Sequence, residues 1–154
     1  MKNIKYNSLA LLTLIFGLIV SIMIFLPSIT SSDASSAFLG YEVMFGSEFV
    51  NLGTFASGQI IWSPLAIIAY LAPLSAGLIT VFTKKYALIS FILFTVSAIL
   101  LFTLPAYTKT TITIINTVTE IQVDWSLSYG LIISGVFAVF GSVICLYTLI
   151  YKKQ

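Results

Sequence analysis

Histidine and arginine are both absent from the 154 residues, and there is one cysteine, Cys145. The first absence removes the commonest general base and the commonest transition-metal ligand from the whole chain. A single thiol allows neither an internal disulfide nor a multi-cysteine metal site. Charge is scarce as well: 8% of residues carry one, against about 25% in soluble domains. The net charge of +2 is small and scattered, and neither a P-loop nor a dinucleotide fingerprint is present, so nucleic acid and nucleotide cofactors find no recognisable site. No cofactor is implied.

What the chain has in abundance is apolar side chains, 59% of the total. A helix crosses the bilayer core with about 20 consecutive apolar residues. Four segments satisfy that without an ionisable side chain: 8–26, 61–82, 87–104 and 127–151. They leave outer loops at 27–60 and 105–126 and an inner loop at 83–86. A signal peptide competes for the first segment, because Lys2 and Lys5 precede it and Ser35-Ser36-Ala37 resembles a cleavage site. The apolar run from Leu9 to Leu26 exceeds the usual core of about 7 to 15 residues, which favours a retained span.

Lysine placement gives a direction, since cytoplasmic loops carry the excess of basic residues. Lys2, Lys5, Lys84, Lys85, Lys152 and Lys153 fall on one side; Asp33, Glu42, Glu48, Glu120 and Asp124 take the other, with Lys109 alone among them. Both termini are therefore expected in the cytoplasm of a multi-pass cell-membrane protein. Trp62 and Trp125 at the outer helix ends, and Tyr6, Tyr86 and Tyr151 beside the inner lysines, suit the aromatic belts of such a protein.

In the first outer loop, residues 27–36 read as a flexible lead of small polar residues. From Leu39 the alternation Leu39, Tyr41, Val43, Phe45 predicts a strand with one buried face, Glu42 pointing away and Gly46-Ser47 ending it. In the second, Thr, Ile and Val dominate residues 108–123, and their branched Cβ atoms favour a pleated surface. A hairpin turning near Ile115-Asn116-Thr117 follows, with Thr119, Ile121, Val123 and Trp125 on one face. An isolated hairpin is marginal in water, so the two loops are expected to pair. The fold class expected is an all-α membrane protein: a four-transmembrane-helix bundle with a small extracellular antiparallel β-sheet from the two outer loops, forming a single integral domain over 1–154.

This arrangement resembles the claudin-like tetraspan membrane proteins in architecture; their first-loop signature of tryptophans and a cysteine pair is missing here. The stretch Tyr41-Glu42-Val43-Met44-Phe45-Gly46 between two spans is also similar to small uncharacterised four-span proteins of bacterial membranes, a resemblance that implies no activity.

Glu42 and Glu48 are either solvated loop acids or part of a hard-cation site, to which Asp33, Glu120 and Asp124 would contribute if the loops converge. The expected outer interaction surface is Tyr41, Glu42, Val43, Phe45, Glu48, Ile121, Val123 and Trp125. Small residues at four-residue spacing, Ala69, Pro73 and Gly77 on the second span and Ser134, Ala138 and Ser142 on the fourth, let backbones approach closely. They serve packing within the chain or docking of a second membrane protein. Pro73 should kink its helix unless a neighbour satisfies the carbonyl it frees. Cys145 reads as an inert thiol.

No nucleophile-and-base constellation is present, and the spans contain no ionisable residue of the sort that transporters place in them. The expectation is a non-enzymatic membrane protein whose partners are the lipid bilayer and another membrane protein or itself. The alternative is a small transporter or channel subunit lined by hydroxyls and carbonyls.

Overall fold

The computed structural model describes residues 2–31, 36–53, 55–83, 86–115 and 117–152. Asp33, Lys84, Lys85, Asn116 and Lys153 lie outside them, as does Ser35 of the suggested cleavage site.

Among the described residues four helices are long and apolar enough to cross a membrane. They are α1 (Lys2–Ile22, continued by a 3-10 turn over Met23–Phe25), α3 (Pro64–Phe82), α4 (Ala87–Tyr107) and α5 (Tyr129–Lys152), while α2 is the short helix Gly40–Phe45. Each long helix packs on two others: α1 on α3 and α5, and α4 on α3 and α5. The helix expected to stop at residue 104 runs through Pro105 to Tyr107. A proline in the last turn removes one hydrogen bond there, and Tyr107 donates its hydroxyl back to the Leu100 carbonyl at 3.0 Å.

The side chains are distributed the opposite way from a water-soluble bundle. Inside lie Ala10, Thr13, Ala69, Ala76, Ser90, Ser97, Ser134 and Ala138, while Leu11, Ile15, Leu71, Leu78, Ile92, Ile99, Val136 and Val143 face outward. Small buried residues and large apolar exposed ones are what a lipid solvent favours, because helices there associate through close packing and hydroxyl bonds rather than by escaping water. α1 and α3 show the closeness: a Cβ on Gly17 would lie 2.3 Å from the Pro73 carbonyl oxygen, and one on Gly77 would lie 2.8 Å from Leu14 Cα.

Pro73 has no N–H, so the Ala69 carbonyl loses its helical donor. Ser97 of α4 donates its hydroxyl to that carbonyl. Ser21 of α1 donates to the next carbonyl, that of Tyr70, at 2.8 Å. The carbonyl that the proline frees thus becomes a bond from α3 to α4, and the Tyr70 carbonyl beside it ties α3 to α1. Farther along α3, Ser90 of α4 donates its hydroxyl to the Ala76 carbonyl at 2.9 Å, and the Thr80 hydroxyl donates its one proton either to the same carbonyl, at 2.8 Å, or to Ser90 Oγ, at 2.9 Å, a second tie from α3 to α4.

Among the described residues seven strands gather at one end of the long helices, in two antiparallel sheets rather than the single sheet expected. The first has order β2-β1-β7 and is built from β1 (Pro27–Ser31), β2 (Ala37–Leu39) and β7 (Trp125–Leu127). The second has order β3-β4-β5-β6, from β3 (Ser47–Asn51), β4 (Ala56–Ile60), β5 (Thr110–Ile114) and β6 (Thr117–Ile121). Each sheet combines both long loops, through β1 with β7 and β4 with β5. The hairpin across residues 115–117 forms in the register Ile114 to Thr117. The lead expected to be flexible instead begins with β1, whose Ser28 and Ile29 are fully buried and whose Ser28 hydroxyl bonds the Tyr70 phenol of α3.

The strand expected over 39–45 is α2, and the reason is visible in what it buries. Gly40, Val43 and Met44 point inward, an i, i+3, i+4 set that belongs to a helix and not to alternation. Glu42 stabilises the first turn by accepting from the Leu39 backbone N–H at 2.8 Å. Gly46, at φ 85°, ends it where a Cβ would meet the Ile60 carbonyl oxygen at 2.9 Å.

Two outcomes test this packing. Gly77→Val should destabilise the protein by roughly 1–3 kcal/mol in a detergent unfolding titration, through overpacking against Leu14, whereas Leu78→Val on the outward face should change it little. Ser97→Ala should cost about 0.6–1.7 kcal/mol. In a Pro73→Ala background, where Ala69 recovers a backbone donor, that cost should fall to near zero, and a double-mutant cycle measures the difference.

Candidate functional site

Three aromatic rings join the two sheets. Phe38 of β2 stands edge-on to Trp125 of β7, with centroids 5.4 Å apart, and 6.1 Å from Phe49 of β3. Phe49 sits at the irregularity between Glu48 and Val50, and its ring covers Gly58 so closely that a Cβ there would lie 2.7 Å from it. Trp125 also donates its indole N–H to Thr110 Oγ1 at 3.3 Å. The Phe38–Phe49 pair crosses between the sheets and adds about 0.5–1.5 kcal/mol beyond its buried area, and the Trp125–Thr110 bond is a second tie between them.

The residues expected to form one interaction surface are distributed over this cap. Val43 is buried beneath α2, while Tyr41 and Phe45 are exposed, so the face anticipated as buried is partly outward. Tyr41 lies 6.3 Å from the Phe25 ring. Ile121 ends β6, Trp125 belongs to the other sheet, and Val123 lies in the link between them. All three are half-buried, with exposed neighbours at Gln122 and Asp124, so the alternation persists although the strand does not.

Among the described residues Glu42, Glu48 and Glu120 stand apart from one another. Glu42 caps α2, Glu48 accepts from Asn51 Nδ2 at 3.0 Å, and Glu120 stands 3.7 Å from Lys109. Glu48 and Glu120 occupy the two edge strands of the same sheet, three strand spacings or roughly 14 Å apart. Among the described residues no three acids or thiols form a metal-ligating group.

The small-residue stripes lie inside the chain. Ala69, Pro73, Gly77, Ser134 and Ala138 are buried. On the same helix as the last two, Gly135 and Gly141 receive the rings of Phe102 and Phe94 from α4. Ser142 is half-buried and donates to the Val139 carbonyl at 2.8 Å. Cys145 is buried on the same face of α5.

The feature that the sequence reading missed is the far end of the four-stranded sheet. There the β3–β4 and β5–β6 turns lie side by side, joined by the Ile115 N–H donating to the Phe55 carbonyl at 3.2 Å. Leu52, Phe55, Ile114, Ile115 and Val118 crowd this tip, each between 56 and 73% exposed. No charged residue occurs in 49–60 or 110–119. Ile115 has φ 46°, a left-handed conformation that costs a β-branched residue about 1–2 kcal/mol and that Asn or Gly adopts freely. The signal was present in the sequence as Ile-Ile-Asn, with a bulky apolar residue where a two-residue hairpin wants Asn or Gly. In sequence the chain matches no known family model and no curated protein, and in fold it matches no solved structure.

Proposed function

We propose that the chain is a non-enzymatic, multi-pass protein of the cell membrane that acts by contact. Its cap engages another membrane protein or a second copy of itself, as an accessory subunit, scaffold or homo-oligomer. Both termini face the cytoplasm in this reading and the two sheets lie outside. It is supported by the lysines gathered at one end of the helix pattern and the acids at the other.

The observation that carries the contact role is the tip. Five large apolar side chains at one end of a sheet, with no charge among them, exceed the scattered exposure normal for a surface. One of them is held in a strained backbone conformation that a common substitution would relieve. Strain kept beside exposed apolar surface is characteristic of positions retained for contact.

Ile115→Asn separates the two effects. Relief of the positive φ should raise stability by about 1 kcal/mol, read as a higher unfolding midpoint in detergent. The same change should weaken chemical cross-linking to the partner or second copy in native membranes. Undiminished cross-linking in the stabilised variant would reject the contact role. The orientation has its own check: in intact cells a membrane-impermeant maleimide should label Gln122→Cys, and should reach Lys84→Cys after permeabilisation alone.

A further inference from the structure

We propose that the cleft at the strand-bearing end of α4 binds the phosphoalkylammonium headgroup of a zwitterionic phospholipid. The inference rests on α4 spanning the bilayer and is independent of the contact made by the hairpin tip.

The cleft is an open hollow of about 1040 Å³. Its walls are the last turn of α4, the start of β5, the end of β6 and the link to β7. α4 has 21 residues, which at 1.5 Å each make about 31 Å, close to the roughly 30 Å hydrocarbon thickness of a bilayer. A helix of that length that begins at one interface ends at the other, so the hollow opens at headgroup level. Lipid headgroups are the most abundant solutes at that depth.

The lining selects among them. Lys109, Glu120 and Asp124 contribute one positive and two negative charges, a net of −1. The Lys109–Glu120 pair is separated by 3.7 Å with both side chains about two-thirds exposed (66% and 67%), so water screens it and either partner exchanges readily for a ligand group. A zwitterion offers both charges at once: its phosphate suits Lys109, and its ammonium suits Glu120 and Asp124. The last turn of α4 carries the negative end of the helix dipole, which also favours the ammonium. Trp125 and Tyr107 add aromatic rings, whose faces attract alkylammonium ions. The indole is fixed in advance by its bond to Thr110 and its edge-on contact with Phe38, so ordering it costs the complex little. An anionic headgroup brings the phosphate without the ammonium and meets a lining that is net negative. An inorganic cation satisfies the acids and leaves Lys109 unused.

Full-length protein, delipidated in detergent, is compared by native mass spectrometry and thermal shift with phosphatidylethanolamine, phosphatidylglycerol and soluble phosphoethanolamine. Phosphatidylethanolamine should be retained and should raise the unfolding midpoint at concentrations where phosphatidylglycerol does neither. Asp124→Asn with Glu120→Gln should reduce that preference by about tenfold, the loss expected on removing a charge-assisted contact. Both positions are exposed, so circular dichroism and the lipid-free midpoint should be unchanged. Soluble phosphoethanolamine should compete for the site, which identifies the headgroup as the recognised part. Equal retention of both lipids, a preference for phosphatidylglycerol, or an undiminished preference in the double variant would overturn the proposal. Saturable binding of soluble phosphoethanolamine without retention of the lipid would overturn the lipid as its source. Loss of partner cross-linking in Ile115→Asn leaves each of these results unaffected.

Discussion

The close crossing of α1 and α3 at Gly17, Pro73 and Gly77 is the contact on which the arrangement of helices turns. Helices whose outer faces are leucine, isoleucine and valine gain nothing by hiding apolar surface from lipid, so they associate only where backbones come near enough for dispersion and hydrogen bonds to act. Two glycines let the helices approach, Gly17 against Pro73 and Gly77 against Leu14, and the proline frees a carbonyl for Ser97. Close approach and hydroxyl bonding therefore reinforce each other at one level of the bundle. The Thr80–Ser90 pair repeats the second device lower on α3, and the phenyl rings of Phe94 and Phe102 seated on Gly141 and Gly135 repeat the first between α4 and α5.

The strand-bearing end solves a different problem. Backbone outside a helix needs partners for its N–H and C=O groups, and neither long loop supplies enough of its own. β1 turns to β7 and β4 to β5, so each loop completes the other. Phe38 with Phe49, and Trp125 with Thr110, then lock the two resulting sheets together. Ser28 and Tyr70 tie the first sheet down to α3.

The long helices were legible because length and apolarity alone determine them, and the 110–121 hairpin because branched residues dominate it. One element was misread and one went unread. Leu39, Tyr41, Val43 and Phe45 alternate, but Gly40, Val43 and Met44 also fall at helical spacing, and six residues are too few for periodicity to decide. The backbone cap from Glu42 and the close fit of Gly40 against Ile24 decide instead. β4, with Ala56, Ser57, Gly58 and Gln59, has weak intrinsic preference for a strand. It forms because β3 and β5 flank it on both sides. The exposed tip was invisible for a related reason: its five side chains come from both loops, and only the pairing of β4 with β5 makes them neighbours.

That cross-loop pairing has a consequence during synthesis. β1 directly follows the first long helix and β7 directly precedes the last, with about a hundred residues between them. The three-stranded sheet cannot close until residue 127 has left the ribosome and the intervening spans have been threaded in the correct alternating sense. A nascent chain that stalls or inverts one span leaves β1 with a bare edge. Completion of the sheet therefore records that every preceding insertion event succeeded.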